Sequence, residues 1–197
     1  ITALGAIGTT LYAGTRNGLF TSTNNGASWS PSGPGLPSVS VTALAAFGTN
    51  VLAGTAGNGV YISTAPGATW AATNAGLGNG SVYSLLVVGT QLFAGTLGGV
   101  FLSTNGGASW MPKSAGLEIP EINALAESGG NLYAGTEGGV FRSTDFGTSW
   151  SWMSNGIIAS SIASIALDSS ALLAGSDGGG VSRSTDRGTT WALASRG

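Results

Sequence analysis

Residues 143–150 read Ser-Thr-Asp-Phe-Gly-Thr-Ser-Trp, and the same eight-residue pattern returns four more times. Residues 22–29 are STNNGASW, 63–70 are STAPGATW, 103–110 are STNGGASW and 184–191 are STDRGTTW. The closing tryptophans, Trp29, Trp70, Trp110, Trp150 and Trp191, fall 40 or 41 residues apart. A second landmark keeps step with them: Gly14, Gly54, Gly95, Gly135 and Gly175 each centre an Ala-Gly-Thr or Ala-Gly-Ser triplet. Two landmarks in register over the whole chain define five diverged tandem copies of one repeat. A period of this length is that of a four-stranded propeller blade.

The copy around residues 143–150 shows how such a blade is written. INALAE reads as strand one, SGGN as a turn, LYAGT as strand two, EGG as a second turn and VFRST as strand three. The eight-residue box then turns the chain into SWSWM, strand four. Glycine with Asn or Asp marks the turns, and β-branched and aromatic residues fill the strands. No segment sustains a helical period. The expectation is an all-β protein, one five-bladed propeller domain over 1–197, with blades near 1–37, 38–78, 79–118, 119–158 and 159–197. Strand one is small-sided (ALGA, ALAA, ALAE), which suits the crowded centre of a ring. Tyr12, Leu52, Phe93, Tyr133 and Leu173 share one position, and Phe20, Tyr61, Phe101, Phe141 and Ser182 another. Both sets are expected between neighbouring blades. The chain runs from an inner strand to an outer one, so closure of a ring would rest on packing of blade 5 against blade 1. The alternative is a piece of a larger propeller or of a multi-domain secreted protein.

Within the box, Asn24, Asn105, Asp145 and Asp186 hold the third position, where a short polar side chain accepts backbone N–H groups of the turn. Gly26, Gly107, Gly147 and Gly188 follow two residues later and supply the left-handed conformation. The tryptophan returns into the core between blades. Blade 2 departs, with Ala65 and Pro66 at the polar end of the turn, and Pro66 is expected to preset its backbone.

The pattern S-T-[DN]-x-G-x-[ST]-W resembles the Asp box, or BNR repeat, of sialidases, xyloglucan-cleaving endoglucanases, sortilin-type receptors and a photosystem II assembly factor. The resemblance covers all five copies and implies blade type. It does not imply an activity, because that group mixes enzymes with binding proteins. It also implies that the box acids brace turns on the face away from any active site. Arg142 and Arg183, which share a place in strand three, are expected as local surface partners of those acids.

Composition narrows the chemistry. Charged residues are only 7% of the 197, the formal net charge is −2, and the six basic residues are scattered. A nucleic-acid binder needs a concentrated basic surface. No apolar run has the length of a membrane span. Cysteine and histidine are both absent, which removes thiolate chemistry, the commonest metal ligand and the commonest general base. Neither a cofactor nor a metal is expected, and no phosphate-binding glycine motif is present. The first residue is Ile1, which reads as a mature secreted form or an excised domain. The Gly/Ser/Thr-rich, cysteine-free composition suits an extracellular protein. Asn79-Gly80-Ser81 is a lone glycosylation triplet.

Strand parity tells where a ligand would bind. The one–two turn and the box share one end of each blade; the two–three turn and the connector to the next blade share the other. The resemblance places ligand sites of sialidase-like propellers at that second end. Its candidates are Arg16, Glu137 and Asp177 in the two–three turns, and Lys113, Glu118, Glu121, Trp152 and Asn155 in the connectors. A sialidase needs three arginines on a carboxylate, and this end offers Arg16 alone. The leading expectation is a non-catalytic binding or scaffold module for a glycan or protein, with Trp152 as a sugar-stacking platform. One alternative is a secreted glycosidase using two of Glu118, Glu121, Glu137 and Asp177. Another is a self-assembling structural subunit, favoured by the low surface charge. Catalysis predicts a deep cleft with paired acids, binding predicts shallow repeated pockets, and assembly predicts concentration-dependent polymers.

Overall fold

A computed structural model of the chain describes residues 1–64, 68–168 and 170–194. Ala65 and Pro66, the departure in the second box, lie outside the described residues. Twenty strands and no helix are formed among the described residues. Blade 1 comprises β1 (Ala3–Ile7), β2 (Thr10–Thr15), β3 (Gly18–Ser22) and β4 (Ser30–Pro31). Blade 2 comprises β5 (Val41–Phe47), β6 (Asn50–Thr55), β7 (Gly59–Ser63) and β8 (Ala71–Ala72). Blade 3 is β9 (Val82–Val88), β10 (Gln91–Thr96), β11 (Gly99–Ser103) and β12 (Met111–Pro112). Blade 4 is β13 (Ile122–Ser128), β14 (Asn131–Thr136), β15 (Gly139–Ser143) and β16 (Ser151–Trp152). Blade 5 is β17 (Ile162–Leu167), β18 (Leu172–Ser176), β19 (Gly180–Ser184) and β20 (Ala192–Leu193).

Each blade is a four-stranded sheet in sequence order, and the pairings within blades 1, 2, 4 and 5 are antiparallel. In blade 4, Leu125 faces Ala134, which faces Phe141, which faces Trp152. This is the strand content and order of a five-bladed β-propeller, with the box as the turn from third strand to fourth.

The chain forms two compact units, one of residues 1–94 and 101–111, the other of 95–100 and 112–197. Within each, the apolar side chains meet between successive blades. In the first unit, Tyr12 and Leu19 of blade 1 pack with Val41, Val51, Ala53 and Trp70 of blade 2. The same unit brings Leu52 and Val60 of blade 2 against Val82, Leu92, Ala94 and Trp110 of blade 3. In the second, Tyr133 and Val140 of blade 4 pack with Ile162, Leu172, Ala174 and Trp191 of blade 5.

The glycine of the Ala-Gly-Thr triplet is one place where successive blades come close. A Cβ on Gly14 would stand 2.7 Å from the Val41 oxygen. One on Gly54 would stand 2.8 Å from Val82, and one on Gly135 2.7 Å from Ile162. At Gly14, Gly54 and Gly135 only glycine allows the first residue of the next blade to lie on the second strand, which explains these three positions of the second landmark.

Candidate functional site

The box end of the blades is built for turn stability. Ser143 Oγ donates to Asp145 Oδ1 at 2.8 Å and accepts the Gly147 N–H at 2.8 Å. Asp145 Oδ1 accepts the Ser149 N–H at 2.8 Å, and Oδ2 accepts the Ser149 hydroxyl at 2.6 Å. Blade 5 repeats the set with Ser184, Asp186, Gly188 and Thr190. Blades 1 and 3 build it with Asn24 and Asn105, whose Nδ2 donates to Ser28 or Ser109 in place of the hydroxyl contact to a carboxylate. The glycines are left-handed, at φ between 82° and 93°. The residue before each is left-handed too: Asn25, Gly106, Phe146 and Arg187.

Hydrogen bonding to the ionised form, first from the hydroxyls of Ser149 and Thr190, lowers the Asp145 and Asp186 carboxyls to about 2. A group whose pKa is lowered by folding contributes stability above its ordinary value and loses it as pH falls towards the folded value. The thermal midpoint should therefore fall between about pH 4 and pH 2. The double variant Asp145→Asn, Asp186→Asn should show a flatter acid limb and fold at neutral pH, since Asn24 and Asn105 already fill this place. Identical acid limbs in a melting series would contradict this assignment.

Arg142 and Arg183 correct an expectation. Arg142 donates to the Arg187 carbonyl at 3.2 Å and Arg183 to Ser170 Oγ at 3.4 Å. The box acids are instead saturated by turn donors, which leaves the arginines to neighbouring loops.

The other end of the blades carries the connectors. Each box tryptophan from blade 2 onward clasps the connector of the preceding blade. Trp70, Trp110, Trp150 and Trp191 donate their backbone N–H groups to the carbonyls of Pro34, Ala75, Ala115 and Asn155, at 2.8–2.9 Å. Their indoles donate to Ser32 Oγ and to the Thr73, Lys113 and Met153 carbonyls, at 2.7–2.9 Å. Trp29 is exposed and, among the described residues, makes neither bond, so the expected interblade burial holds for four tryptophans of five.

The candidates fall into groups. Arg16, Glu137 and Asp177 stand exposed in the turns β2–β3, β14–β15 and β18–β19. Glu137 Oε1 accepts hydrogen bonds from Asn123 Nδ2 at 2.9 Å and Ser161 Oγ at 3.1 Å, and the Asp177 N–H bonds the Ser161 carbonyl at 3.0 Å. Glu118 is exposed and Glu121 half-buried on the connector into blade 4, whose Ile119 covers Gly138 of the β14–β15 turn. Lys113 does not join them. Its backbone is fixed between Val100 and Trp150, and its ammonium is carried 3.1 Å from Thr148 Oγ1 in the box of blade 4.

Trp152 and Asn155 do come together. They line a recess of about 290 Å³ with Gly138, Gly139, Ser154 and the connector 156–160. Trp152 is 56% exposed, and its indole is aimed by a 3.1 Å bond to the Gly138 carbonyl. Ser154 below it bonds the Val140 N–H at 2.6 Å. Blade 1 has the equivalent recess, about 250 Å³, lined by residues 17–20, 31–33 and 36–38. A third recess, about 260 Å³, opens at the box end between Tyr133, Asp168, Ser170 and Arg187. Burial raises the Tyr133 phenol, and the Ser170 backbone N–H lowers the Asp168 carboxyl. Asp168 and Arg187 were not legible as candidates, since one sits in a one–two turn and the other inside a box. Among the described residues no three acidic side chains converge as a metal cluster would require.

No protein-family profile matches the chain, and no curated protein matches it. Solved structures do. The extracellular domain of the one-component system BT4673 from B. thetaiotaomicron superposes with a TM-score of 0.82 at 24% identity, covering 98% of this chain and 27% of that one. The chain has the fold of a β-propeller. An ancestral GH74 enzyme gives a TM-score of 0.77 at 22% identity, over 96% of this chain and 30% of that one. The GH74 xyloglucanase of Xanthomonas campestris gives 0.73 at 19% identity, over 98% and 38%. The chain thus spans between about a quarter and two-fifths of these proteins' lengths.

Proposed function

We propose that the chain is an Asp-box propeller, one domain over residues 1–197, that binds a glycan without cleaving it at the connector end of its blades. The observation that carries this reading is the recess around Trp152 and its equivalent in blade 1. Both are shallow, both occupy the same place in the repeat, and neither is lined by a carboxylate. Repeated weak sites of this kind add up by avidity. Trp152 offers an apolar face to a sugar ring while its N–H is already engaged, and Asn155 offers an amide beside it. An extracellular setting fits the composition and the likeness to the extracellular domain from B. thetaiotaomicron. A polysaccharide ligand fits the likeness to a xyloglucanase.

The test is a glycan array followed by mass spectrometry of every bound glycan. Intact glycans are expected. Trp152→Ala should weaken binding roughly tenfold, about 1.4 kcal/mol, while Lys113→Ala should leave it unchanged. Cleaved products, or binding indifferent to Trp152, would sink the reading.

A further inference from the structure

Two arginines come together at the box end of blades 4 and 5, at places where the repeat itself needs none. The residue just before the box is Thr21, Ile62 and Leu102 in blades 1 to 3, but Arg142 in blade 4. The fourth residue of the box is Asn25, Pro66, Gly106 and Phe146 in blades 1 to 4, but Arg187 in blade 5. The turn does not require a cation, since Asn25, Gly106 and Phe146 are left-handed as Arg187 is. With Arg183 these two make three of the chain's six basic residues.

Arg187 lines the recess of about 260 Å³ that it shares with Tyr133, Asp168 and Ser170. Arg142 reaches the rim from blade 4, where Nη1 donates to the Arg187 carbonyl at 3.2 Å. Arg183 reaches it from blade 5, where Nη2 donates to Ser170 Oγ at 3.4 Å. Among the described residues none of the three is ion-paired, and the Arg187 guanidinium has no hydrogen-bond partner. The nearby carboxylates are held by their own turns. Asp168 Oδ1 accepts the Ser170 N–H at 2.6 Å, the Ser170 hydroxyl at 2.9 Å and the Ala171 N–H at 2.8 Å. Glu127 Oε1 accepts the Gly130 N–H at 2.8 Å, and Asp186 is turned into the box by Ser184 and Thr190. Unspent guanidinium donors around a polar recess suit an anion. The Tyr133 ring is 1% exposed, so it offers no stacking face to a sugar, and its hydroxyl holds the Arg187 carbonyl at 3.3 Å.

We infer that this recess binds a tetrahedral oxyanion, a sulfate or phosphate group, with Arg187 as its principal ligand and Arg142 as the second. The donors arrive from separate elements: strand three of blade 4, the box of blade 5 and strand three of blade 5. Such an arrangement suits an anion with three or more accepting oxygens, whereas one guanidinium fork already satisfies a planar carboxylate. The site lies at the opposite end of the blades from the Trp152 recess and does not rest on the glycan reading.

The experiment is an NMR titration of the 197-residue chain with sodium sulfate, sodium phosphate and sodium acetate at constant ionic strength, read at the backbone amides and the arginine Nε–H groups. Sulfate or phosphate should give saturable shifts at Arg187, Arg142 and Ser170 with the Trp152 indole unmoved, and acetate should bind at least about tenfold more weakly. Arg187→Asn should fold, since Asn25 already fills that place in blade 1, and should weaken oxyanion binding roughly tenfold. Arg142→Gln, a second variant in a strand, should weaken it too, while Arg16→Ala should leave it unchanged. Glucose 6-sulfate binding more tightly than inorganic sulfate would assign the anion to an ester on a larger ligand, and equal affinity would assign it to the free ion; both outcomes support the site. Shifts that never saturate, acetate binding as well as sulfate, or binding indifferent to both Arg187→Asn and Arg142→Gln would overturn the inference.

Discussion

Trp110→Ala is expected to destabilise the protein by about 3–5 kcal/mol, the cost of emptying a large aromatic site that cannot collapse. Trp110 is buried in the cluster between blades 2 and 3. Its loss also strands the Thr73 carbonyl, which accepts the indole N–H at 2.8 Å. A connector carbonyl left unpaired in a closed interface adds to the cost. Trp29→Ala is the internal control. It removes the same side chain from the same sequence pattern, but from a place with no clasped connector, so a cost of about 1 kcal/mol or less is expected in the monomer. Urea unfolding of the two variants measures both. Equal losses would mean that the box tryptophan acts within its own turn and not as a clamp on the preceding blade.

Gly116→Ala should have an effect of similar size through backbone geometry alone. Gly116 sits in the connector at φ +87°, and a Cβ there would collide with the Trp150 carbonyl oxygen. Gly35, Gly76 and Gly156 stand in the same relation to Trp70, Trp110 and Trp191. Positive φ for a residue with a side chain costs about 1–3 kcal/mol, and relieving the collision must move the chain that Trp150 holds. A loss of at least about 2 kcal/mol is expected. Gly89→Ala tests the distinction, since Gly89 is also left-handed, at φ +59°, but has open space where the Cβ would go. It should lose only the conformational part, roughly 1–2 kcal/mol. Unfolding midpoints that rank Gly89→Ala as the worse variant would contradict the clasp.

The blades were legible because their signals are local. Turn glycines, alternating strands and the box each act within a few residues, and five copies reinforce them. The end of the blade that holds each loop followed from parity alone: Arg16, Glu137 and Asp177 do stand in the two–three turns. What stayed hidden depends on the neighbouring blade. Lys113 lies in a connector, yet the clasp by Trp150 turns its side chain to the next box. Trp29 has the sequence of its four equivalents, but burial is decided by what packs against it. The buried serine that opens each box, such as Ser143, was readable as part of a pattern but not as the hydroxyl that ties acid to glycine. Trp152 and Asn155 share a recess because the connector folds back over strand four, which no local pattern encodes.

The most direct test is a ligand titration followed by NMR at the tryptophan indoles. Trp152 reports on the connector end, and Trp150 and Trp191 on the clasps beneath the boxes. With a glycan taken from the array, the Trp152 indole and the Asn155 amide should shift together and saturate at one affinity, with the box-end residues Tyr133 and Arg187 unmoved. Shifts confined to Tyr133, Asp168 and Arg187 would place the ligand at the opposite end of the blades and contradict the account.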